Sequence, residues 1–293
     1  MSRSVKFVLI GFAALVVVLA GTFYYINRSS FGIPGFYVWK AVSGTAQASG
    51  HAAVDGIDLY YETYGERRAG VRPVLVLHGG TVFIETMHYQ IRALAKDRFV
   101  VAPDSRGHGR STDGAGPLHY ERMAEDMIAL LDLLDIPEAD IVGWSDGGNI
   151  GLILAMKHPA RVGRLVTSGS NYNVDGLSSL PPADMSPDAE EMAGARDFYK
   201  RVAPDPDHWP VFFGKVIHMW RTEPNYSEAD LGRIAAPVLV VAGEFDSIER
   251  DHTETLAASI PNGRVHIVPG TTHFVLLEDP AAFNDATLGF LNE

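Results

Sequence analysis

Residues 143–147 read Gly-Trp-Ser-Asp-Gly and stand between a short apolar run and a helix-forming run. The run before them, residues 140–142, predicts a buried strand, and residues 149–157 predict a helix. A strand-to-helix turn this tight needs small residues on both sides of Ser145 and pushes the serine outward in a strained conformation. The segment therefore predicts that Ser145 is a nucleophile, provided that a base, an acid and an oxyanion site lie elsewhere in suitable places.

From His51 onward, strand-like and helix-like segments alternate, which predicts a parallel sheet covered by helices on both faces. Residues 52–54 and 57–64 predict a hairpin, because Asp55 and Gly56 supply the positive φ angles of a two-residue turn. Further strands are predicted at residues 74–77, 99–102, 140–142, 164–168, 237–243 and 265–268. Helices are predicted at residues 83–95, 120–134, 149–157, 250–260 and 279–291. The expected fold class is α/β, with an eight-stranded, mostly parallel sheet.

The alternation breaks between the sixth and seventh predicted strands. Residues 171–233 are rich in proline and contain short helical patterns at 189–202 and 209–220. We expect an inserted helical lid here, whose exposed aromatic residues cover a cleft. The aromatic residues of this apolar cover are Trp209, Phe212, Phe213 and Trp220.

The N-terminal residues differ from the rest of the chain. Residues 7–26 carry no charge, and about 20 apolar residues span a hydrocarbon core of roughly 30 Å as a helix. Residues 1–28 are predicted to be a transmembrane signal anchor that places the catalytic domain outside the cytoplasm. A cleaved signal peptide is the alternative, which would give a secreted or periplasmic protein. Residues 29–50 are predicted to be a juxtamembrane linker, and residues 51–293 the catalytic domain.

Composition excludes several other classes of function. The formal charge is −12 and the longest basic run is Arg67-Arg68, which argues against nucleic-acid binding. The chain has no cysteine, so disulfides, zinc–thiolate sites and thiol nucleophiles are excluded. The histidines are scattered and no glycine-rich nucleotide loop is present, so neither a metal nor a cofactor is expected.

Three candidate groups follow the carboxyl ends of predicted strands, where open parallel sheets bind their ligands. Ser145 follows the fifth strand, Asp246 the seventh and His273 the eighth. A serine hydroxyl is a poor nucleophile at neutral pH, so His273 would take its proton and return it to the leaving group. Asp246 would hold the imidazole in the right tautomer. Glu244 remains an alternative for the acid.

The chain order Ser, Asp, His, with each residue just past a different strand, resembles the α/β-hydrolase family over residues 51–293. The resemblance implies two oxyanion donors. One is the backbone N–H of Asp146, which follows the nucleophile. The other is the N–H of Gly80 in the loop 78–81, with Thr81 as the near alternative. Residues 104–111 resemble the family's D-x-R-G-x-G-x-S loop, which braces the site.

The segment Gly-Trp-Ser-Asp-Gly-Gly at residues 143–148 is similar to that of the valacyclovir hydrolase-like (biphenyl-hydrolase-like) enzymes. Those enzymes act on amino-acid esters, so the resemblance implies that the Asp146 side chain receives a substrate ammonium. The alternative is that Asp146 only packs against the lid or hydrogen-bonds the lid backbone. Trp144 and Phe274 are also expected to contact the substrate.

The expected activity is hydrolysis of a small carboxylic ester, such as an aminoacyl ester, through an acyl-enzyme on Ser145. Carbon–carbon bond hydrolases and perhydrolases use the same three residues and remain alternatives. A membrane-tethered protein of this fold that binds a ligand without turnover is a third. The expected partners are a small-molecule ester and, through residues 1–28, a membrane.

Overall fold

The structure, a computed structural model, describes residues 18–27, 30 and 32–293 and divides the chain into two units, Met1–Gly44 and Thr45–Glu293. In the first unit, residues 18–27 are helical and helix α1 spans Ile33–Val42, where proline at the first turn suits a helix start. Residues 7–17 of the predicted membrane anchor lie outside the described residues. Within the described ranges, no helix combines the length and apolar character needed to cross a bilayer. The anchor stays a prediction.

The second unit contains one eight-stranded sheet with the order β1-β2-β4-β3-β5-β6-β7-β8. Its strands are β1 Gln47–Val54, β2 Ile57–Tyr64, β3 Val74–Leu77, β4 Val100–Pro103, β5 Ala139–Trp144, β6 Val162–Ser168, β7 Val238–Phe245 and β8 Gly263–Thr272. Strand β2 pairs antiparallel with β1 and β4, and all other pairs are parallel. The eight-stranded, mostly parallel sheet predicted from the sequence is confirmed.

The segment 29–50, predicted as a juxtamembrane linker, contains helix α1 and the first part of β1. Residues 47–50 escaped the strand prediction since they are small or polar and mostly exposed. They lie on an edge strand that pairs only with β2 in the sheet order, so their side chains need not alternate between core and solvent.

The sheet order brings the ends of β3 and β5 side by side. Strand β3 pairs with β4 on one side and with β5 on the other, so the chain reverses its direction of travel across the sheet at β3. Both strands are buried along their whole length; β3 is continuously apolar, and the one charged residue of β5, Asp140, pairs with Arg72 and Arg98. The loops after β3 and β5 therefore meet at the carboxyl edge of the sheet, where α/β folds bind ligands.

Helices cover both faces of the sheet. Outside the lid they are α2 His88–Leu94, α3 Tyr120–Leu133, α4 Asp146–Lys157, α8 Arg250–Ser259, α9 Val275–Glu278 and α10 Pro280–Leu291. Nearly all of α4 is buried, because it packs on the central strands and on α3. The helix predicted from residue 83 begins later, since Phe83 is extended (φ −159°, ψ −174°) and a short 3₁₀ turn precedes α2.

The insertion between β6 and β7 contains α5 Ala193–Val202, α6 Trp209–Thr222 and α7 Glu228–Leu231. Its two ends pair with each other: Asn173 bridges Asn225, and the Tyr226 N–H donates to the Tyr172 carbonyl at 2.8 Å. The insertion thus leaves the sheet and returns to it through one hydrogen-bonded stem.

The prediction of exposed lid aromatics is wrong for three residues. Trp209, Phe212 and Phe213 are at most 1% exposed, and Trp220 is half-buried. The first three lie one helical turn apart on α6, and the rings of Trp209 and Phe213 stack with centroids 5.2 Å apart. They belong to the main hydrophobic core, and Phe212 also packs on His108 of the loop 104–111, with ring centroids 4.7 Å apart. Burying these aromatic rings stabilises the folded chain.

Candidate active site

Ser145 occupies the turn between β5 and α4 with φ 53° and ψ −118°, a conformation that non-glycine residues rarely adopt. The flanking glycines make this turn possible. A Cβ on Gly143 would lie 2.3 Å from the carbonyl oxygen of Gly147, and one on Gly147 would lie 2.3 Å from that of Leu77. The Ser145 N–H donates to the carbonyl of Ser168 at 2.7 Å. The turn is therefore fixed by backbone contacts to both neighbouring strands.

Ser145, His273 and Asp246 form a continuous chain of hydrogen bonds. Nε2 of His273 lies 3.1 Å from Oγ of Ser145, and Nδ1 lies 2.8 Å from Oδ1 of Asp246. The same Asp246 oxygen accepts the N–H of Ile248 at 3.0 Å, and the Asp246 side chain is 2% exposed. A neutral His273 that donates from Nδ1 to Asp246 presents its other nitrogen as an acceptor for the serine proton.

Glu244, the alternative acid, lies elsewhere. Its Oε2 accepts the backbone N–H of Gly270 at 2.8 Å, and the residue is exposed. The structure brings Asp246 to His273 and leaves Glu244 at the exposed end of β7.

Gly169 is a site residue that the sequence analysis missed. It follows β6 with φ 57°, and a Cβ there would lie 2.8 Å from Cε1 and Nδ1 of His273. Only glycine leaves room for the imidazole at this point. The available signal was a glycine directly after a predicted strand that neighbours the Ser145 strand.

Trp144 and Phe274 take different positions around His273. Trp144 is 3% exposed, and its indole N–H donates to the His273 carbonyl at 2.9 Å. This contact makes Trp144 a support for the His273 loop, because a buried indole with a backbone partner offers little surface to a ligand. Phe274 is 45% exposed, and its ring lies 5.4 Å from that of Trp144.

The loop after β3 lies against the nucleophile. A Cβ on Gly79 would come within 3.2 Å of Cβ of Ser145. Within the described part of the chain, neither the Gly80 N–H nor the Asp146 N–H has a hydrogen-bond acceptor. Thr81, the near alternative, has φ 59°, and its hydroxyl donates to the Gly80 carbonyl at 2.7 Å. Two unpaired N–H groups beside a serine are the donors that an oxyanion requires.

His78 holds the peptide that carries the Gly80 N–H. Its Nδ1 donates to the Gly79 carbonyl at 2.7 Å, and its Nε2 accepts the Ser105 N–H at 2.9 Å. Burial, with a smaller contribution from neighbouring His108, lowers the pKa of His78 to about 3, so its ring is neutral. Because a trans peptide directs its C=O and N–H to opposite sides, a carbonyl turned toward His78 turns the Gly80 N–H away from it.

The loop 104–111 braces the neighbouring backbone. Asp104 is fully buried and accepts the N–H of Ile84 at 3.0 Å and that of Arg110 at 2.9 Å. Burial raises the pKa of Asp104 to about 6, and the ion pair with Arg110 opposes that effect. The loop thereby joins the segment that follows Gly80 to the end of β4.

The Asp146 side chain is 5% exposed and is held by two side chains. Its Oδ1 accepts the Tyr120 hydroxyl at 2.7 Å. The Trp220 indole N–H donates to both carboxylate oxygens, at 2.9 and 3.1 Å. Burial raises the pKa of Asp146 to about 6, although both hydrogen bonds favour its ionised form. The lid group that contacts Asp146 is thus the side chain of Trp220. The sequence had suggested either a substrate ammonium or the lid backbone as the partner of Asp146.

No group of three or more side chains able to hold a metal ion occurs among residues 18–27, 30 and 32–293.

Comparison with known proteins places this site in context. The model of the alpha/beta hydrolase family matches residues 74–286. The human protein "Serine hydrolase BPHL" is 31% identical over 277 residues, which cover 88% of this chain and 92% of that protein. The "Putative carbamate hydrolase RutD" of Caulobacter segnis is 30% identical over 269 residues, covering 81% and 97%.

Solved structures share the same architecture. A hydrolase from Pseudomonas aeruginosa is 26% identical, with a TM-score of 0.66 over 86% of this chain and 100% of that one. An N-acyl homoserine lactone degrading enzyme is 29% identical, with a TM-score of 0.65 over 82% of this chain and 100% of its own.

Proposed function

This chain belongs to the alpha/beta hydrolase family and is a hydrolase, and we propose that it cleaves a carboxylic ester through an acyl-enzyme on Ser145. The sequence resemblance to the alpha/beta hydrolases and to the biphenyl-hydrolase-like enzymes is confirmed. The observation that carries the proposal is the hydrogen-bonded chain of Ser145, His273 and Asp246 beside two unpaired backbone N–H groups.

The proposed reaction begins with attack of the Ser145 Oγ on the ester carbonyl carbon, while Nε2 of His273 takes the hydroxyl proton. The carbonyl oxygen becomes negatively charged and accepts hydrogen bonds from the N–H groups of Gly80 and Asp146. Collapse of this intermediate breaks the ester C–O bond. The leaving alcohol takes the proton from His273, and the acyl group stays on Ser145.

Water completes the cycle. His273 takes a proton from the water molecule as its oxygen attacks the acyl-enzyme carbonyl, and the same backbone N–H groups hold the second oxyanion. The proton then returns to Ser145 as the carboxylic acid leaves. Asp246 stabilises the imidazolium in both halves of the reaction.

Relatives support an acyl-transfer reaction on a small substrate. They include a serine hydrolase, a carbamate hydrolase, an enol-lactonase and an N-acyl homoserine lactone degrading enzyme. A lactone is a cyclic ester, so the enol-lactonase is named for cleavage of the type of bond proposed here. The exposed Phe274 lies beside the proposed base, with its ring centroid 5.8 Å from that of His273, and offers an apolar surface to a substrate.

The test is hydrolysis of neutral aryl esters with acyl chains of graded length. Wild type is expected to turn over the shorter esters, and Ser145→Ala is expected to lose about 10³-fold or more of kcat. His51→Ala, an exposed histidine on β1, serves as a control that keeps full activity. Absence of turnover across the whole panel by folded wild type would reject the ester assignment in favour of the carbon–carbon hydrolase, perhydrolase or binding alternatives.

We also propose that residues 1–28 tether the enzyme to a membrane, with residues 51–293 outside the cytoplasm. The uncharged run 7–26 supports this proposal. Alkaline carbonate extraction of membranes that contain the full chain tests it: an anchored enzyme stays in the pellet. Release of a protein whose N-terminus maps near residue 21 would support the cleaved signal peptide instead.

A further inference from the structure

The carboxylate of Asp146 adjoins the nucleophile, and two elements converge on it. Tyr120 comes from α3 and is buried, whereas Trp220 comes from lid helix α6 and is half-buried. Oδ1 of Asp146 accepts both the Tyr120 hydroxyl and the Trp220 indole N–H. The lid therefore reaches the residue beside Ser145 through a single side chain.

Little of the Asp146 carboxylate is left for a ligand. Oδ2 accepts the longer branch of the Trp220 hydrogen bond at 3.1 Å. This oxygen also lies against the loop after β3, because a Cβ on Gly80 would come within 2.5 Å of it. Removing a substrate ammonium from water costs free energy, which is offset only when the ammonium contacts the carboxylate directly. Such contact requires that Trp220 first move.

The Trp220 ring also fills the space around this carboxylate. The position of a Gly80 Cβ lies 2.5 Å from Cζ2 of Trp220, so the indole covers the backbone that carries an oxyanion donor. Replacing the indole with a smaller ring removes a hydrogen-bond donor and opens room beside Asp146 in one step.

We propose that Trp220 determines the charge of the substrates that this enzyme accepts: by occupying Asp146, it selects neutral esters over esters that carry an ammonium group next to the carbonyl. This inference rests on the proposed ester hydrolysis. The sequence resemblance implies that the Asp146 carboxylate receives a substrate ammonium. This chain keeps the aspartate, but its carboxylate already accepts hydrogen bonds from Tyr120 and Trp220.

The test compares two esters of matched shape, benzyl isobutyrate and L-alanine benzyl ester, at neutral pH. Wild type is expected to prefer the isobutyrate in kcat/KM by about 10-fold or more. Trp220→Phe is expected to shift the ratio by about 10-fold toward the alanine ester, and adding Asp146→Asn is expected to cancel the gain.

Trp209→Phe is the matched control. It removes an indole N–H from the same lid helix, but that N–H donates to the Pro187 carbonyl and leaves Asp146 untouched. Its ester ratio is expected to equal that of wild type. An unchanged ratio in Trp220→Phe, or a wild type that already prefers the alanine ester, would overturn the inference.

A binding measurement separates this inference from the proposed function. If wild type hydrolyses neither ester, the ester assignment fails, and titration with L-alaninamide still decides the role of Trp220. L-alaninamide is expected to bind Trp220→Phe at least about 10-fold more tightly than it binds wild type. The double variant that also carries Asp146→Asn is expected to lose this gain in affinity. Equal affinity in wild type and Trp220→Phe would reject it.

Discussion

Nε2 of His273 lies 3.1 Å from Oγ of Ser145, although 128 positions separate the two residues in the sequence. The sheet creates this contact, because Ser145 ends β5 and His273 follows β8 at the same edge. Gly169, at the end of the intervening β6, leaves the space through which the imidazole reaches the serine.

Gly169→Ala is therefore expected to lower kcat by about 10-fold or more and to destabilise the fold by about 1–2 kcal/mol. The new methyl group would meet the His273 ring at 2.8 Å, and alanine is strained at φ 57°. Steady-state kinetics and urea unfolding measure the two effects. Gly289→Ala is the control, since nothing lies within 4 Å of a Cβ at that helical position. Equal kcat values for the two variants would remove the steric role assigned to Gly169.

Asp246→Asn is expected to lower kcat by about 10⁴-fold with a smaller change in KM. The amide keeps the shape of the carboxylate but no longer stabilises the tautomer of His273 that accepts from Ser145. Glu244→Gln, the matched change at the alternative acid, is expected to keep activity because Glu244 is exposed and accepts the backbone N–H of Gly270 in β8. A larger loss in Glu244→Gln than in Asp246→Asn would reverse the assignment.

His78→Phe is expected to lower kcat by about 10² to 10³ while KM changes little. Phenylalanine keeps an aromatic ring but loses the bonds to the Gly79 carbonyl and the Ser105 N–H that orient the Gly80 peptide. The split between kcat and KM is the informative readout, since a purely structural role would show as lost stability at unchanged kcat. The account of the loop after β3 is wrong if kcat of the folded variant stays at the wild-type level.

Asp146→Asn is expected to make stability less dependent on pH. Burial raises the pKa of Asp146 from 3.8 to about 6 in the folded protein, so between these values the folded state holds a proton that the unfolded state has lost. The stability that this proton adds to the folded state is fully present below pH 3.8 and is lost as the pH rises to about 6. The free energy of unfolding falls by about 3 kcal/mol over this range. Urea unfolding at pH 4 and pH 8 should show the variant gaining on wild type at the higher pH. A pH-independent difference would contradict the raised pKa.

Much of the site followed from the sequence because its causes are local or set by the sheet. The turn at Ser145 needs glycine at 143 for contacts within a few residues and glycine at 147 because the end of β3 approaches it closely, and the ends of parallel strands meet at one edge. These two rules, with the chain order Ser, Asp, His, led to the prediction of Asp246 and His273, with Glu244 left as the alternative acid.

The remaining features depend on packing that no short pattern records. The contact between Asp146 and Trp220 joins residues 74 positions apart, and one of them lies in an insertion without a regular period. The burial of Phe212 likewise depends on how the lid packs on the loop 104–111, where Phe212 contacts His108. An aromatic residue in such a segment looks the same in sequence whether it covers a cleft or fills a core.

The most direct test of the central claim is labelling of the full chain with a fluorophosphonate, followed by mass spectrometry of the peptides. A serine activated by His273 and Asp246 should form a single adduct at Ser145, and the adduct should disappear in Ser145→Ala. Folded wild-type protein that stays unlabelled, or that carries its adduct on another serine in both proteins, would contradict the assignment of Ser145 as the nucleophile.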